Sequence, residues 1–199
     1  MNQSRLAVAG RPSAGSPRTG SLRQVAGIIV LLIAPALMPG AIASAALAEQ
    51  TQLEVPIIDQ SPERCGQASL EMVLRFHGAD RASLAQVERA YDARLHGSLV
   101  TDLATAARRA GFRAEVATMS PDSLIRLLQA GIPTIVLYQS GRGPLTTRHF
   151  AVVTGWDSTR DRFTLNDGGE RPHHAQREDL AKRWRTAGSQ ALIIRPITP

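Results

Sequence analysis

Apolar residues recur at helical spacing in the chain that follows residue 60, and they predict its first elements. The segment 65–77 is apolar around most of its circumference, so it is predicted to be a central, buried helix. Its apolar residues are Ala68, Leu70, Met72, Val73 and Phe76. Further helices are predicted over 83–94, with Ser83 as the cap, over 101–110 and over 121–130.

The pattern then changes to β-branched and alternating apolar runs, which predict strands. Strands are predicted over 53–58, 112–118, 133–138, 149–156, 162–167 and 190–195. A short helix is predicted over 177–185, before the last strand. Because most of the helices precede an antiparallel sheet, the order of elements indicates an α+β fold.

The first 48 residues have the pattern of an export signal. Four arginines and no acidic residue precede an apolar core over 24–38, and small residues follow this core up to Ala48. We expect cleavage after Ala48, which would leave residues 49–199 as a single domain in the periplasm or outside the cell, with no stable membrane span. The alternative is an uncleaved anchor, since the apolar stretch is nearly long enough to cross a bilayer.

The net charge of the chain gives little support to a nucleic-acid partner. Four of the 23 lysines and arginines lie in the signal segment, whereas all 17 acidic residues lie beyond it. The mature chain therefore carries only a small positive charge, and we predict that it does not bind nucleic acid.

Cys65 is the only cysteine, and it opens the first predicted helix just after the turn-prone pair Ser61-Pro62. A lone cysteine in an oxidising compartment has no partner for an internal disulfide. A helix N-terminus carries partial positive charge and so favours the thiolate, which is the reactive form. The position indicates a catalytic thiol, and a buried structural cysteine is the alternative.

A cysteine nucleophile needs a base within hydrogen-bond reach, and the base needs an orienting group. His149 could supply the base. If the turn after its strand is centred on Ser158, His149 faces Asp167 with their Cβ atoms about 4.5–5.5 Å apart. The same register pairs Ala151 with Leu165 and Val153 with Phe163, all on one face. Asp167 could then hold the imidazole; the alternative is an ordinary turn residue.

Two residues near Cys65 could assist it. The amide of Gln60 could donate to an oxyanion, unless it is a solvated loop residue. Gly66 would let the backbone of a substrate approach the thiolate closely. The pair His173 and His174 could suggest a metal, but no ligand partners stand at suitable spacing, so solvated histidines and no metal or cofactor are predicted.

Three motifs carry a resemblance to a known family. They are Gln-x4-Cys-Gly-x-Ala-Ser-Leu-x-Met-Val-Leu over 60–74, His-Phe-Ala-Val-Val-Thr-Gly-Trp-Asp over 149–157 and Leu-Asn-Asp-Gly over 165–168. In this order they resemble the bacteriocin-processing (double-glycine) cysteine peptidases of the papain-like clan, above all their stand-alone, exported bacterial relatives.

The resemblance implies a papain-like α+β fold, with N-terminal helices packed on a C-terminal antiparallel sheet. It implies hydrolysis of peptide bonds through an acyl-enzyme, with a peptide or protein substrate and a monomeric enzyme. The implied roles are Cys65 as nucleophile, His149 as base, Asp167 as orienting residue and Gln60 as oxyanion donor. This chain departs from many relatives at Arg64, before the Cys-Gly pair, and at Gly168, after the aspartate.

Two other functions stay open at this point. The same three residues could carry acyl transfer or amidase chemistry. The chain could also be a pseudo-peptidase that binds peptides without cleaving them, although the intact set of Cys65, His149 and Asp167 argues against it.

Overall fold

An antiparallel sheet of seven strands organises the residues that the computed structural model describes, namely 50–59, 61–141 and 143–197. The strands are β1 (Gln50–Gln52), β2 (Phe112–Thr118), β3 (Thr134–Ser140), β4 (Thr147–Asp157), β5 (Arg162–Asn166), β6 (His173–Gln176) and β7 (Gln190–Pro196). Their order is β2-β7-β3-β4-β5-β6, and β1 pairs with the C-terminal end of β4.

Helices cover both faces of this sheet. The same part of the chain forms α1 (Cys65–Phe76), α2 (Arg81–Leu84), α3 (Val100–Arg109), α4 (Pro121–Gln129) and α5 (Arg177–Thr186). Helices α1 and α3 share one core with the sheet, and α4 and α5 share a second core on its other side. The predicted α+β class is confirmed. Two cores arise because successive side chains of β3 and β4 point to opposite faces.

Helix α1 is the central helix that the apolar pattern predicts. Its side chains at Leu70, Met72, Val73 and Leu74 are fully buried. It makes contacts with β4, β3 and α3. Because this helix is packed so tightly, its first residue is held in a fixed position against the sheet.

The second predicted helix, over 83–94, is wrong in extent. The side chain of Asp80, rather than Ser83, caps the helix by accepting a hydrogen bond from the main-chain N–H of Ser83 at 2.8 Å. Helix α2 ends at Leu84, and a 3-10 turn follows at Val87–Ala90. Too few apolar residues of this segment are buried to stabilise a longer amphipathic helix.

The first predicted strand, over 53–58, is also wrong, because the strand lies earlier, at Gln50–Gln52. The main-chain N–H of Leu53 still donates a hydrogen bond to the carbonyl oxygen of Thr154 at 2.8 Å, and the chain then leaves the sheet. The buried side chain of Asn166 donates to the carbonyl of Val55 at 3.1 Å. This bond holds the segment that leads towards α1.

The predicted register of the β4–β5 hairpin is wrong by two to three residues. Val153 faces Leu165 and Trp156 faces Phe163, with a bulge between Val153 and Gly155. The turn is longer than predicted, because the side chain of Asp157 accepts from the main-chain N–H of Arg160 at 3.0 Å.

The bulge offsets the longer turn. A register shift by an odd number of residues would by itself move every side chain of the strand to the opposite face of the sheet. The bulge adds one residue to the strand and so returns these side chains to the predicted face. Four of the six side chains predicted to share a face do lie in one core: Ala151, Val153, Phe163 and Leu165. The predicted opposition of His149 and Asp167 is wrong, since the ladder ends at Val152 and Asn166.

Among the residues described, no helix is both long and apolar enough to cross a membrane.

Candidate active site

The thiol of Cys65 lies at the first residue of α1 and is partly buried. The imidazole of His149 and the main-chain N–H groups of Phe150 and Gly66 lie close enough to the sulfur to favour its ionised form, which accepts hydrogen bonds. Burial is the largest single influence and raises the pKa of the thiol. The hydrogen bonds and the charge of His149 together outweigh it, so the pKa of Cys65 is lowered and the thiolate is favoured.

His149 lies near the start of β4, with its ring edge-on to Tyr138 at 5.9 Å between centroids. Its Nε2 atom lies 3.0 Å from the main-chain oxygen of Asp167. A carbonyl only accepts hydrogen bonds, so Nε2 carries a hydrogen and Nδ1 is left to face the thiol. This is the tautomer that a general base needs.

The charge state of His149 is coupled to that of Cys65. Burial, the largest influence, lowers the pKa of the imidazole, but the hydrogen bond and charge of Cys65 raise it, and Asp167 adds to this increase. The net pKa of His149 is raised while that of Cys65 is lowered. Both directions favour a thiolate–imidazolium pair, the reactive state of a cysteine nucleophile.

Asp167 reaches His149 through its main chain, whereas the sequence predicts a side-chain contact across the hairpin. Its carboxylate Oδ2 lies 3.0 Å from Nδ1 of His173. This contact lowers the pKa of Asp167, partial burial raises it by less, and the charges of His173 and His149 lower it further. The carboxylate is therefore kept ionised and acts on His149 as a nearby charge.

His173, which the sequence pattern predicts to be solvated together with His174, is partly buried beside Asp167, with 39% of its side chain exposed. It is the first residue of β6, whose strand character the sequence pattern does not predict. His174, the next residue, lies with its Nδ1 3.2 Å from Oγ1 of Thr164. Within the described ranges no cluster of three or more metal-ligand side chains occurs.

A cleft of about 1020 Å³ opens over Cys65 and His149. One wall comes from residues 95–101, where Leu95 and Leu99 leave half of their side-chain surface exposed. The opposite wall includes the start of β4 and the turn after Asp167. A cleft of this size, lined by both polar and apolar side chains, has room for a short extended segment of a peptide.

Gly66 supports this cleft through packing. A Cβ atom built at Gly66 would lie 2.9 Å from Cβ of Ser98 and 3.3 Å from Cδ2 of Leu103. Any side chain would thus displace the loop at Ser98, which lines the cleft. A direct contact of Gly66 with substrate stays a prediction. Gln60, the predicted oxyanion donor, lies outside the described residues.

Replacement of Asp167 by asparagine is expected to lower kcat by only about tenfold, far less than loss of the thiol or the imidazole. The main-chain carbonyl that accepts from His149 is kept in this variant, whereas the negative charge that raises the pKa of His149 is lost. Steady-state kinetics on a cleaved peptide measures the effect, with Asp161→Asn in the β4–β5 turn as the matched control. A loss as large as that of a Cys65 variant would show that the carboxylate itself orients His149.

Comparisons with known proteins agree with this geometry. A family model described as "Peptidase_C39 like family" matches residues 52–192. No curated protein matches the chain significantly. Three solved structures have a similar fold.

The first is described as a C39-like peptidase from Bacillus anthracis, with a TM-score of 0.62 at 17% identity over 75% of this chain and 99% of that one. The second is a double glycine motif protease from an AMS/PCAT transporter in complex with the leader peptide, with a TM-score of 0.58 at 24% identity over 74% and 95% of the two chains. The third is xylellain, a cysteine protease from Xylella fastidiosa, with a TM-score of 0.55 at 11% identity over 77% and 88%. At these identities the likeness establishes a shared fold.

Proposed function

The chain belongs to the peptidase C39-like family, and from this premise we propose that it is an exported cysteine peptidase that hydrolyses peptide bonds through Cys65, His149 and Asp167. The observation that carries the proposal is that Cys65 and His149 line the same open cleft, with the pKa of the thiol lowered and that of the imidazole raised by their proximity. A structural cysteine needs neither a lowered pKa nor an imidazole beside it.

In the first half of the reaction the Cys65 thiolate attacks the carbonyl carbon of the scissile peptide bond. The carbonyl oxygen becomes an oxyanion, for which the Gln60 amide is the proposed donor. The imidazolium of His149 gives its proton to the leaving amine, and the carbon–nitrogen bond breaks. A thioester between Cys65 and the acyl part of the substrate remains.

In the second half His149, now neutral, accepts a proton from a water molecule as that water attacks the thioester. The carbon–sulfur bond breaks, the acid product leaves and the thiolate–imidazolium pair is restored. The main-chain carbonyl of Asp167 keeps Nε2 protonated through both halves, so that Nδ1 exchanges the proton. The Asp167 carboxylate stabilises the imidazolium by its charge.

Incubation of the purified protein with a peptide library, read by mass spectrometry, tests the proposal. Hydrolysis gives pairs of fragments that sum to the substrate plus one water. If the same residues carry acyl transfer instead, added amine acceptors would appear in the products. A pseudo-peptidase would retain library peptides without any cleavage, and this result in the wild-type protein would refute the proposed activity.

Export is part of the proposal and rests on the N-terminal pattern of four arginines, an apolar core and small residues. Expression of the full chain in a bacterial host is expected to give a periplasmic or secreted protein that begins at Glu49, or at Ala46 if cleavage follows the small residues Ala43-Ser44-Ala45 instead. N-terminal mass spectrometry of the fractionated cells decides between them. Recovery of the protein in the membrane fraction with residues 25–45 retained would instead support an anchor.

A further inference from the structure

Asp167 lies at a point where the sheet no longer fixes the main chain. Strand β5 ends at Asn166, and its ladder with β4 ends at the pair Val152 and Asn166. Gly168 follows in the left-handed region at φ +86°, which is readily adopted by glycine. The position of the Asp167 carbonyl, which accepts from Nε2 of His149, therefore depends on contacts that Asp167 makes outside the ladder, and the contact with His173 is one of them.

His173 is in a position to support Asp167. It pairs with Leu165 in the ladder between β5 and β6, so its own main chain is fixed by the sheet. Its Nδ1 atom is buried and lies 3.0 Å from Oδ2 of Asp167. At this distance the nitrogen and the carboxylate attract each other when the nitrogen carries a hydrogen. Both side chains are partly shielded, with 39% of His173 and 27% of Asp167 exposed.

The surroundings of this contact are polar and partly enclosed. A pocket of about 540 Å³ next to the catalytic cleft is lined by both residues and also by Tyr138, Asp179 and Arg183. Asp167 lines the cleft as well as this pocket, so it forms part of the partition between them. Burial raises the pKa of Tyr138 to about 12, and the nearby charge of Asp167 contributes to this.

We propose that His173 is a positioning residue of the active site, which holds the side chain of Asp167 so that the Asp167 carbonyl orients His149. The sheet fixes the main chain of His173, and His173 contacts the Asp167 carboxylate. The main-chain carbonyl of Asp167 accepts from Nε2 of His149, which lies beside Cys65. This inference rests on the proposed peptidase function and adds a fourth residue to it. His173 touches neither substrate nor the reacting atoms.

Two substitutions of His173 separate positioning from packing. His173→Asn places its side-chain nitrogen two bonds from Cβ, as Nδ1 is in histidine, and so keeps a donor next to Asp167. His173→Phe keeps a ring of similar shape but removes the nitrogen. His174→Phe is the matched control, because the neighbouring histidine contacts Thr164 instead of Asp167.

Steady-state kinetics on a cleaved peptide is the first readout. His173→Phe is expected to lower kcat by about tenfold or more with little change in KM, since misplacement of a catalytic group by a fraction of an ångström slows the chemical step. His173→Asn is expected to recover most of this loss, and His174→Phe to stay within about twofold of wild type. The reverse order, with Phe active and Asn impaired, would show that the ring only fills space and would overturn the proposal.

The rate of Cys65 alkylation by iodoacetamide at about pH 7 is the second readout, and it needs no substrate. His173→Phe is expected to slow alkylation by about tenfold, and His173→Asn much less, because a misplaced His149 stabilises the thiolate poorly. If the wild-type protein cleaves no peptide but the alkylation rates follow this order, the peptidase function fails and the positioning role stands. Equal alkylation rates in all four proteins would overturn the positioning role by itself. Circular dichroism confirms that each variant is folded.

Discussion

Replacement of Cys65 by alanine is expected to abolish peptide hydrolysis, with kcat reduced by at least about 10³-fold. The chain has no other cysteine, so no second thiol can take over the attack. The thiol is partly buried at the first residue of α1 and makes no disulfide, and its removal should change the free energy of unfolding by no more than about 1 kcal/mol. Turnover of a peptide found by library profiling measures the loss.

Cys65→Ser is the matched variant, because it keeps the size of the side chain and exchanges the thiolate for a hydroxyl that His149 activates poorly. It should fold as the wild type does and be nearly as inactive as Cys65→Ala. Thermal melting and circular dichroism provide the control for folding. A folded Cys65→Ala protein with undiminished turnover would remove the thiolate mechanism.

Replacement of His149 by alanine is expected to reduce kcat by about 10³-fold or more, since both the proton donor to the leaving amine and the base for water are lost. The pH dependence of the thiol should change as well. Without His149, its hydrogen bond and charge no longer lower the pKa of Cys65, and only the main-chain N–H groups of Phe150 and Gly66 still oppose the effect of burial. The pKa of the thiol should therefore rise relative to the wild type.

Alkylation of Cys65 across a pH series checks this direction. Because the pKa of Cys65 is lowered in the wild type, the rate should level off at a lower pH than for an ordinary thiol. In His149→Ala the rate at neutral pH should fall and should recover only at a higher pH than in the wild type. His96→Ala is the matched control, because His96 lines the same cleft but its Nδ1 lies 3.8 Å from a carboxylate oxygen of Glu63. The same pH profile in wild type and His149→Ala would contradict a thiolate–imidazolium pair.

The sequence predicts those elements best whose apolar positions repeat over several turns or residues. Helix α1 and strand β2 are both confirmed, because a long apolar surface can be buried in few ways. Strand β6 is not predicted from the sequence, since only four residues form it and two of them are histidines. Its ladder with β5 stabilises it, and such pairing between segments leaves no local pattern in the sequence.

The site is harder to predict than the elements that carry it. Cys65 and His149 stand in motifs that indicate their chemistry, and the structure brings them together. The manner in which Asp167 meets His149 depends on the register of a hairpin, which is set by the bond between Asp157 and Arg160 and by the bulge after Val153. One additional residue in a turn moves the side chains of the following strand to the other face of the sheet. Hydrophobic alternation alone does not reveal the length of the turn.

The place of β7 in the sheet links activity to the order in which the chain is made. Synthesis proceeds from the N-terminus, so Cys65 and His149 emerge well before residues 190–196. Yet β7 lies between β2 and β3, and it supplies the ladders that join these two strands into one sheet. Until it pairs, the nascent chain holds two separate parts of a sheet. Because contacts this distant along the sequence form slowly, we expect the complete sheet, and with it the proposed peptidase site, to form late, after the strand that joins β2 to β3 has been synthesised.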